Sequence, residues 1–298
     1  MAETPQDQWA RWLLHRRHGG DPEQQKALFD DLYPVRDRIL RNARLAEGDT
    51  LLDVGTGDGL IAFGALAQPG APGRVIFSDI SLDLLEHSRV IARQMRVLDQ
   101  SRFLLTSADS IALQDASVDA ITTRSVLIYV KAKQQAFHEF FRVLKPGGRL
   151  SIFEPINRYF GYPLPDDKFI GYDVTPVIDI ARKIKSVYER IQPPTDPMLD
   201  FDERDLLAFA QAAGFREVHL ELQVSIKPGT WHRGAQRRWD ACLHASGNPR
   251  IPTLQEAMQQ SLTPEEIDQF VAHLRPLVEH GEGILQEAVA YLWAIKGR

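Results

Sequence analysis

The stretch at residues 51–59, LLDVGTGDG, carries the plainest chemistry in the chain. Apolar residues deliver Asp53 to the carboxyl end of a strand, and Gly55, Gly57 and Gly59 follow at alternate positions before the apolar run LIAFGALA. Glycine belongs in such a loop where a ligand lies against the backbone, because a Cβ would collide, and where the turn takes a positive φ. The dinucleotide fingerprint would require glycine at position 60, which is Leu60. A D-x-G-x-G-x-G loop better fits a ligand that joins a sugar to an amino acid. Asp79 closes the next apolar run, where a carboxylate can accept both hydroxyls of a ribose. Asp109, followed by Ser110, closes a third run, where a carboxylate can accept from an adenine amino group. Thr123, Arg124 and Ser125 follow a fourth. Successive strands therefore present polar residues at one carboxyl edge, the place where open α/β sheets bind ligands.

These residues need a parallel sheet to line them up. Residues 46–156 alternate β-type and helical runs, the pattern of βαβ units in an α/β protein. Strands are predicted at 50–55, 74–79, 102–109, 118–126 and 149–155. Ser81 is a fitting N-cap for the helix carrying Leu84, Leu85, Ile91, Met95 and Leu98. A helix from Lys133 to Leu144 is expected to stop at the Lys-Pro-Gly-Gly of 145–148. Residues 157–200 read as a loop-rich insertion with one helix near 176–191. Asp202 then caps a helix that ends at Gly214, and Val218, Leu220, Leu222, Val224 and Ile226 alternate as a strand at 216–227. Residues 228–286 are helical, and 288–296 reads as a last strand with a helix as competitor. Near the start, Asp21-Pro22 begins a helix.

Composition narrows the function. The chain has 298 residues, 44% of them apolar and 25% charged, as in an ordinary soluble globular protein rather than a disordered or collagen-like one. Apolar runs are short and interrupted, so no segment is expected to cross a bilayer. The opening MAETPQDQ has no basic leader or apolar stretch, so no signal peptide and a cytoplasmic home are expected. Cys242 is the single cysteine, which excludes an internal disulfide framework, a thiolate zinc cluster and an iron–sulfur site. The nine histidines form no helical pair and no compact cluster, so no metal is expected. A net charge of −5 does not suit a protein whose main partner is a phosphate backbone. Trp231, Ala235, Trp239 and Leu243 recur every four residues, which is one buried helix face rather than a nucleic-acid surface. Trp9, Trp12 and Leu13, beside Arg11, Arg16 and Arg17, are expected to pack on the core rather than on a membrane.

Taken together, LLDVGTGDG, VIFSDIS, TSADSIAL and FRVLKPGGRLSIFEP resemble the class I S-adenosylmethionine-dependent methyltransferases, in the small-molecule group that includes the ubiquinone and menaquinone C-methyltransferases. The resemblance covers residues 45–156 closely and the rest loosely. It implies a Rossmann-like, doubly wound, seven-stranded, mostly parallel sheet with helical cap insertions. The implied organisation is an N-terminal helical segment (1–45), a cofactor-binding core (46–156), a lid insertion (157–200), a core continuation (201–227), a helical cap insertion (228–286) and a last core strand (287–298).

Carried over by position, Gly55, Gly57 and the backbone near Thr56, in the loop that Gly59 completes, would touch the methionine part of S-adenosyl-L-methionine. Asp53 would hold its ammonium, Asp79 its ribose, Ile80 its adenine, and Asp109 and Ser110 the adenine amino edge. Arg124 lies where the family places the backbone facing the sulfonium. Tyr33 sits where related enzymes bring an aromatic over the cofactor, and Arg124 and Glu154 are the other candidate acceptor contacts; Glu154 has a structural reading as well. No residue declares itself as a catalytic base. No Asn-Pro-Pro-Tyr occurs after the fourth strand, and Cys242 lies far from the motifs, which counts against nucleic-acid base methylation. The implied activity is methyl transfer to a small organic acceptor by in-line displacement, with no nucleic acid or membrane as partner and no oligomeric state legible. The alternatives are an RNA or protein methyltransferase on the same core, a non-catalytic protein that binds the cofactor, and, disfavoured by Leu60, a nicotinamide dehydrogenase. The two insertions, with Tyr159, Phe160, Tyr162, Phe169 and Tyr172 in the first, are expected to join Tyr33 and the N-terminal helices in capping a largely apolar pocket.

Overall fold

Asp7 opens the first element: its carboxylate accepts from the amides of Trp9 and Ala10 and caps α1 (Gln8–Arg11), which continues as a π-helical turn at Trp12–Arg16. This is a computed structural model that describes residues 6–17, 22–160, 165–228 and 235–297. After α2 (Pro22–Ala43) come β1 (Thr50–Val54), α3 (Leu60–Leu66), β2 (Arg74–Asp79), α4 (Leu82–Gln94), β3 (Ser101–Leu105), β4 (Val118–Arg124), α5 (Lys133–Val143) and β5 (Leu144–Pro155). A hairpin of β6 (Lys168–Phe169) and β7 (Tyr172–Asp173) and the helix α6 (Ile178–Ile191) lead into α7 (Glu203–Ala213) and β8 (Glu217–Pro228). The helices α8 (Ala235–His244), α9 (Leu254–Ser261) and α10 (Pro264–His280) precede β9 (Ile284–Ile295).

Seven strands form one sheet in the order β3-β2-β1-β4-β5-β9-β8. The first five run parallel, and β9 runs antiparallel to both β5 and β8. This is the Rossmann-like, doubly wound sheet that the motifs imply. Its strand order turns back between β1 and β4, so a crevice opens at the carboxyl ends of those two strands. One face of the sheet packs Leu52, Ile121 and Leu292 against Phe137 and Phe140 of α5 and Leu206 of α7. The other packs Leu51, Phe77 and Tyr291 against Ile39 of α2 and Ile61 of α3. Among the described residues no helix is long and apolar enough to cross a membrane.

Local signals decide several boundaries. Ser81 accepts from the Leu84 amide and caps α4. Asp202 and Asp205 form a capping box on α7, and Gly214 ends that helix at φ 107°. The end of the chain is a strand, because between β5 and β8 an extended segment satisfies its backbone on both sides. Several predicted ends differ. The third strand stops at Leu105 instead of Asp109, because Ser107 donates to Asp109 and the Ser110 amide bonds the Ser107 carbonyl, which closes a turn. The fourth stops at Arg124, where Ser125 takes φ 55° and leads into a short 3₁₀ turn, Leu127–Tyr129. The predicted stop at 145–148 is part of β5. There Gly147 and Gly148 exchange backbone hydrogen bonds with Lys296 beyond β9, and a register shift between Val118 and Ala120 absorbs the extra residues.

The two insertions share one apolar core: Phe169 and Tyr172 from the hairpin, Ile180 and Ile184 from α6, Trp239 from α8, Met258 from α9 and Phe270 from α10. Trp239 and Leu243 do share a buried face, whereas Trp231, Tyr162 and Asp21 lie outside the described residues. This helical body is tied to the sheet by Lys133, almost wholly buried at the start of α5. Its Nζ donates to the carbonyls of Val130 (3.0 Å) and Pro197 (2.9 Å) and to Asp200 (2.5 Å). Lys133→Met keeps the apolar stem and removes these donors, so the unfolding free energy in urea should fall by about 2–3 kcal/mol. Proteolytic cleavage around residues 193–200 should become faster; an unchanged midpoint and cleavage rate would contradict this role.

Candidate active site

Asp53, at the end of β1, is 2% exposed. Its carboxylate accepts from the hydroxyls of Thr56 (2.8 Å) and Thr122 (2.7 Å), which ties the loop after β1 to its neighbour β4. Burial pushes its pKa up to about 6, against the pull of those hydroxyls and the nearby Arg124. Three glycines in the loop are required by geometry. Gly55 has φ 63°, and a Cβ there would lie 2.3 Å from a Val126 methyl; Gly57 has φ 57°, with Leu13 3.0 Å from where a Cβ would stand; Gly59 has φ 85°, and a Cβ would lie 2.4 Å from the Phe63 ring.

Asp79, at the end of β2, has two jobs for its carboxylate that the residue spacing did not reveal. One oxygen accepts from the Gly57 amide (3.0 Å) and the other from the Ser81 amide (2.9 Å). Burial raises its pKa even so, because these amides only partly replace water. Ile80 beside it is 55% exposed, an apolar side chain standing in the open at a strand end.

A cavity of about 430 Å³ opens over these strand ends. Of the residues singled out in the sequence, Asp53, Gly55, Thr56, Gly57, Asp79, Ile80, Asp109 and Arg124 border it. Gly59 and Ser110 do not: Gly59 sits against Phe63 at the start of α3, and the Ser110 carbonyl is taken by the Thr106 hydroxyl. Thr106, Ser107 and Ala108 border it in their place. Tyr33 also lies off the cavity. It is 41% exposed on α2, stacked on Phe29 and under the guanidinium of Arg36. Glu154 is fully buried and does not border the cavity. Its two oxygens accept from the amides of Val126 and Leu127 (2.9 Å each) and Ile128 (3.3 Å), so its role is structural. Burial pushes its pKa up to about 7.

The far wall was not legible as site residues. Trp9, Trp12, Leu13 and Arg17 come from the N-terminal segment, Tyr129 from the turn after β4, and Arg250 from the second insertion. The Trp9 ring meets Trp12 at 6.3 Å and Tyr129 at 5.1 Å between centroids, edge to face. The N-terminal segment is pinned at several points. Ser81 donates to Asp7 (2.6 Å), the Trp12 indole donates to the Ser246 carbonyl (2.8 Å), and Arg16 pairs with Glu256 (2.7 Å). Amphipathicity showed these tryptophans as core-packing residues, which they are; only long-range contacts bring them to the strand ends. Among the described residues, 157–200 contributes nothing to the lining, because Phe169 and Tyr172 are consumed by the helical body's own core and Tyr159 is exposed.

Glu154→Ala would strand three backbone amides and should cost at least about 3 kcal/mol of stability. Glu154→Gln, whose side-chain oxygen can keep two of the three contacts, should cost less than half of that. Equal losses by chemical denaturation would show that carboxylate volume, not hydrogen bonding, is what matters there.

Comparison with known proteins agrees with this geometry. The methyltransferase domain family matches residues 52–152. The ubiquinone/menaquinone biosynthesis C-methyltransferase UbiE of Salmonella paratyphi B is 32% identical over 181 residues, which is 57% of this chain and 68% of that protein. Among solved structures, YcgJ of Bacillus subtilis superposes with a TM-score of 0.54 at 16% identity, over 89% of this chain and 99% of that one. A geranyl diphosphate methyltransferase solved with S-adenosylmethionine superposes with a TM-score of 0.53 at 17% identity, over 94% of each. The structural likenesses establish the fold, and the sequence relative establishes the lineage and the cofactor, S-adenosyl-L-methionine. The chain belongs to the class I S-adenosylmethionine-dependent methyltransferases.

Proposed function

We propose that this methyltransferase acts on a small organic acceptor, held between the carboxyl edge of the sheet and the aromatic wall of the N-terminal segment. The observation that carries this reading is the cavity itself. One side is a glycine loop with a strand-end carboxylate, and the other is Trp9, Trp12, Leu13 and Tyr129. Its volume is that of a small-molecule site. A folded nucleic acid would need an open, basic surface in this place. That the sequence relative is named for quinone C-methylation supports a small acceptor too.

The residues fit the cofactor. Each oxygen of Asp79 takes one amide and has a further lone pair for a ribose hydroxyl. The exposed Ile80 offers adenine an apolar contact, and Asp109 stands at the same edge for its amino group. Gly55 and Gly57 let backbone approach the methionine part, and Asp53 adds a buried negative charge on the ammonium side. Bound S-adenosylmethionine supplies an electrophilic methyl carbon. The chain's contribution is alignment of the acceptor opposite the sulfur and exclusion of water. Among the described residues no histidine borders the cavity, and burial raises the Tyr129 phenol to about 12, so it is no base near neutrality. Neither residue type therefore supplies a base here, and no residue of the cavity is assigned that role.

The helical body built from both insertions acts, in this reading, as one cap. It reaches the site through the N-terminal segment, which it grips at Trp12 and Arg16, and through Arg250.

Asp79→Ala should weaken S-adenosylhomocysteine binding about ten- to a hundredfold, the loss of charge-assisted hydrogen bonds. The same variant should barely affect an analogue lacking both ribose hydroxyls. If both ligands weaken equally by calorimetry, Asp79 acts only through the loop it holds. Transfer of labelled methyl should appear in a small-metabolite extract and not in RNA or protein fractions; label in either macromolecule would overturn the proposal.

A further inference from the structure

Arg17, Arg124, Lys131 and Arg250 all border the cavity. Among the described residues, none of the four side chains forms an ion pair or a side-chain hydrogen bond. Arg17 and Arg124 are half-buried there, whereas Lys131 and Arg250 are exposed to water, so the two arginines at the buried wall are the ones costly to leave without an ion-pair partner. The carboxylates of the same cavity form no ion pair with them, though Asp53 lies near Arg124. Asp53 is committed to two threonine hydroxyls, Asp79 to two amides and Asp109 to Ser107. Asp58 faces Arg17 only at a distance, and Glu154, behind Arg124, caps the turn after β4. Burial and the like charge of Arg124 together lower the Arg17 pKa to about 10, so the two guanidinium groups share one region of the wall. The Arg17 guanidinium also stands 5.6 Å over the Trp12 ring, next to the edge-to-face set of Trp9 and Tyr129.

The cofactor brings a single carboxylate, which can satisfy one arginine and leaves the other cations unmatched. We infer that the methyl acceptor is a flat, largely apolar molecule bearing an oxyanion, which Arg17 and Arg124 hold while its ring lies against Trp9, Trp12 and Tyr129. A guanidinium is a planar fork that matches a carboxylate or a phosphate with two parallel hydrogen bonds, and this arrangement is strongest where water is excluded. The inference rests on the small-acceptor methyltransferase reading and adds the charge of the acceptor to it.

The test uses the full-length protein saturated with S-adenosylhomocysteine, with benzoate and phenyl phosphate as anionic probes and benzamide as the neutral control, read by calorimetry or ligand-observed NMR. At least one anion should bind about tenfold tighter than benzamide, and which of the two does so identifies the oxyanion. Arg17→Gln should lose that preference with S-adenosylhomocysteine affinity unchanged, which also reports that the variant is folded. Arg124→Gln should lose it as well. If wild-type protein binds S-adenosylhomocysteine but shows no preference for either anion, the acceptor is not anionic and this inference fails alone. The same holds if Arg17→Gln weakens S-adenosylhomocysteine and spares the anion, since Arg17 then serves the cofactor's own carboxylate. If S-adenosylhomocysteine itself does not bind, the reading beneath the inference fails with it.

Discussion

The site depends on a carboxylate buried where a carboxylate should not be. Asp53 sits at the end of a central strand, out of water, and is tolerable there only because Thr56 and Thr122 donate to it and Arg124 lies near. Those two hydroxyls belong to the glycine loop and to the next strand in the sheet. Satisfying the charge therefore fixes the loop's path at the point where the strand order turns back. The crevice, the positive-φ glycines and the position of Gly57 follow from that attachment.

The same device recurs along the edge. Asp79 holds Gly57 and the start of α4, and Glu154 holds the amides of the turn after β4. Each carboxylate substitutes for water at backbone groups that no strand partner reaches. Carboxylates at strand ends thus act first as fasteners of the loops that surround the cavity. Asp53 and Asp79 combine that job with a place on the cavity surface.

The far wall of the cavity is assembled differently, from parts remote in the chain. The N-terminal segment crosses the strand ends because Asp7 is bound at Ser81, while Trp12 and Arg16 are bound to the second insertion. Three separate regions therefore meet at one wall, with polar anchors at its margin and aromatic rings inside. Short connections of this kind open at lower cost than a sheet does, which suits a wall that must admit an acceptor and release its product.

What the sequence by itself determined is what depends on neighbours a few residues away. The bounds of β2, the Ser81 cap and the Asp202 cap with Gly214 rest on local backbone chemistry and are found as read, as are the positive-φ glycines of the loop after Asp53. The end of the chain could have been strand or helix, and only the hydrogen-bonding demand of β5 and β8 on either side made it a strand. Glu154 and Tyr33 looked like site residues from their places in the chain. The first was drawn to three orphan amides, and the second sits on the exposed side of α2 against Phe29 and Arg36. Trp9, Trp12, Arg17 and Arg250 carried no local mark of a site, because their place in it comes from contacts across more than two hundred residues of chain, as between Trp12 and Ser246. Periodicity can say that such a residue is buried, but only tertiary packing decides what it is buried against.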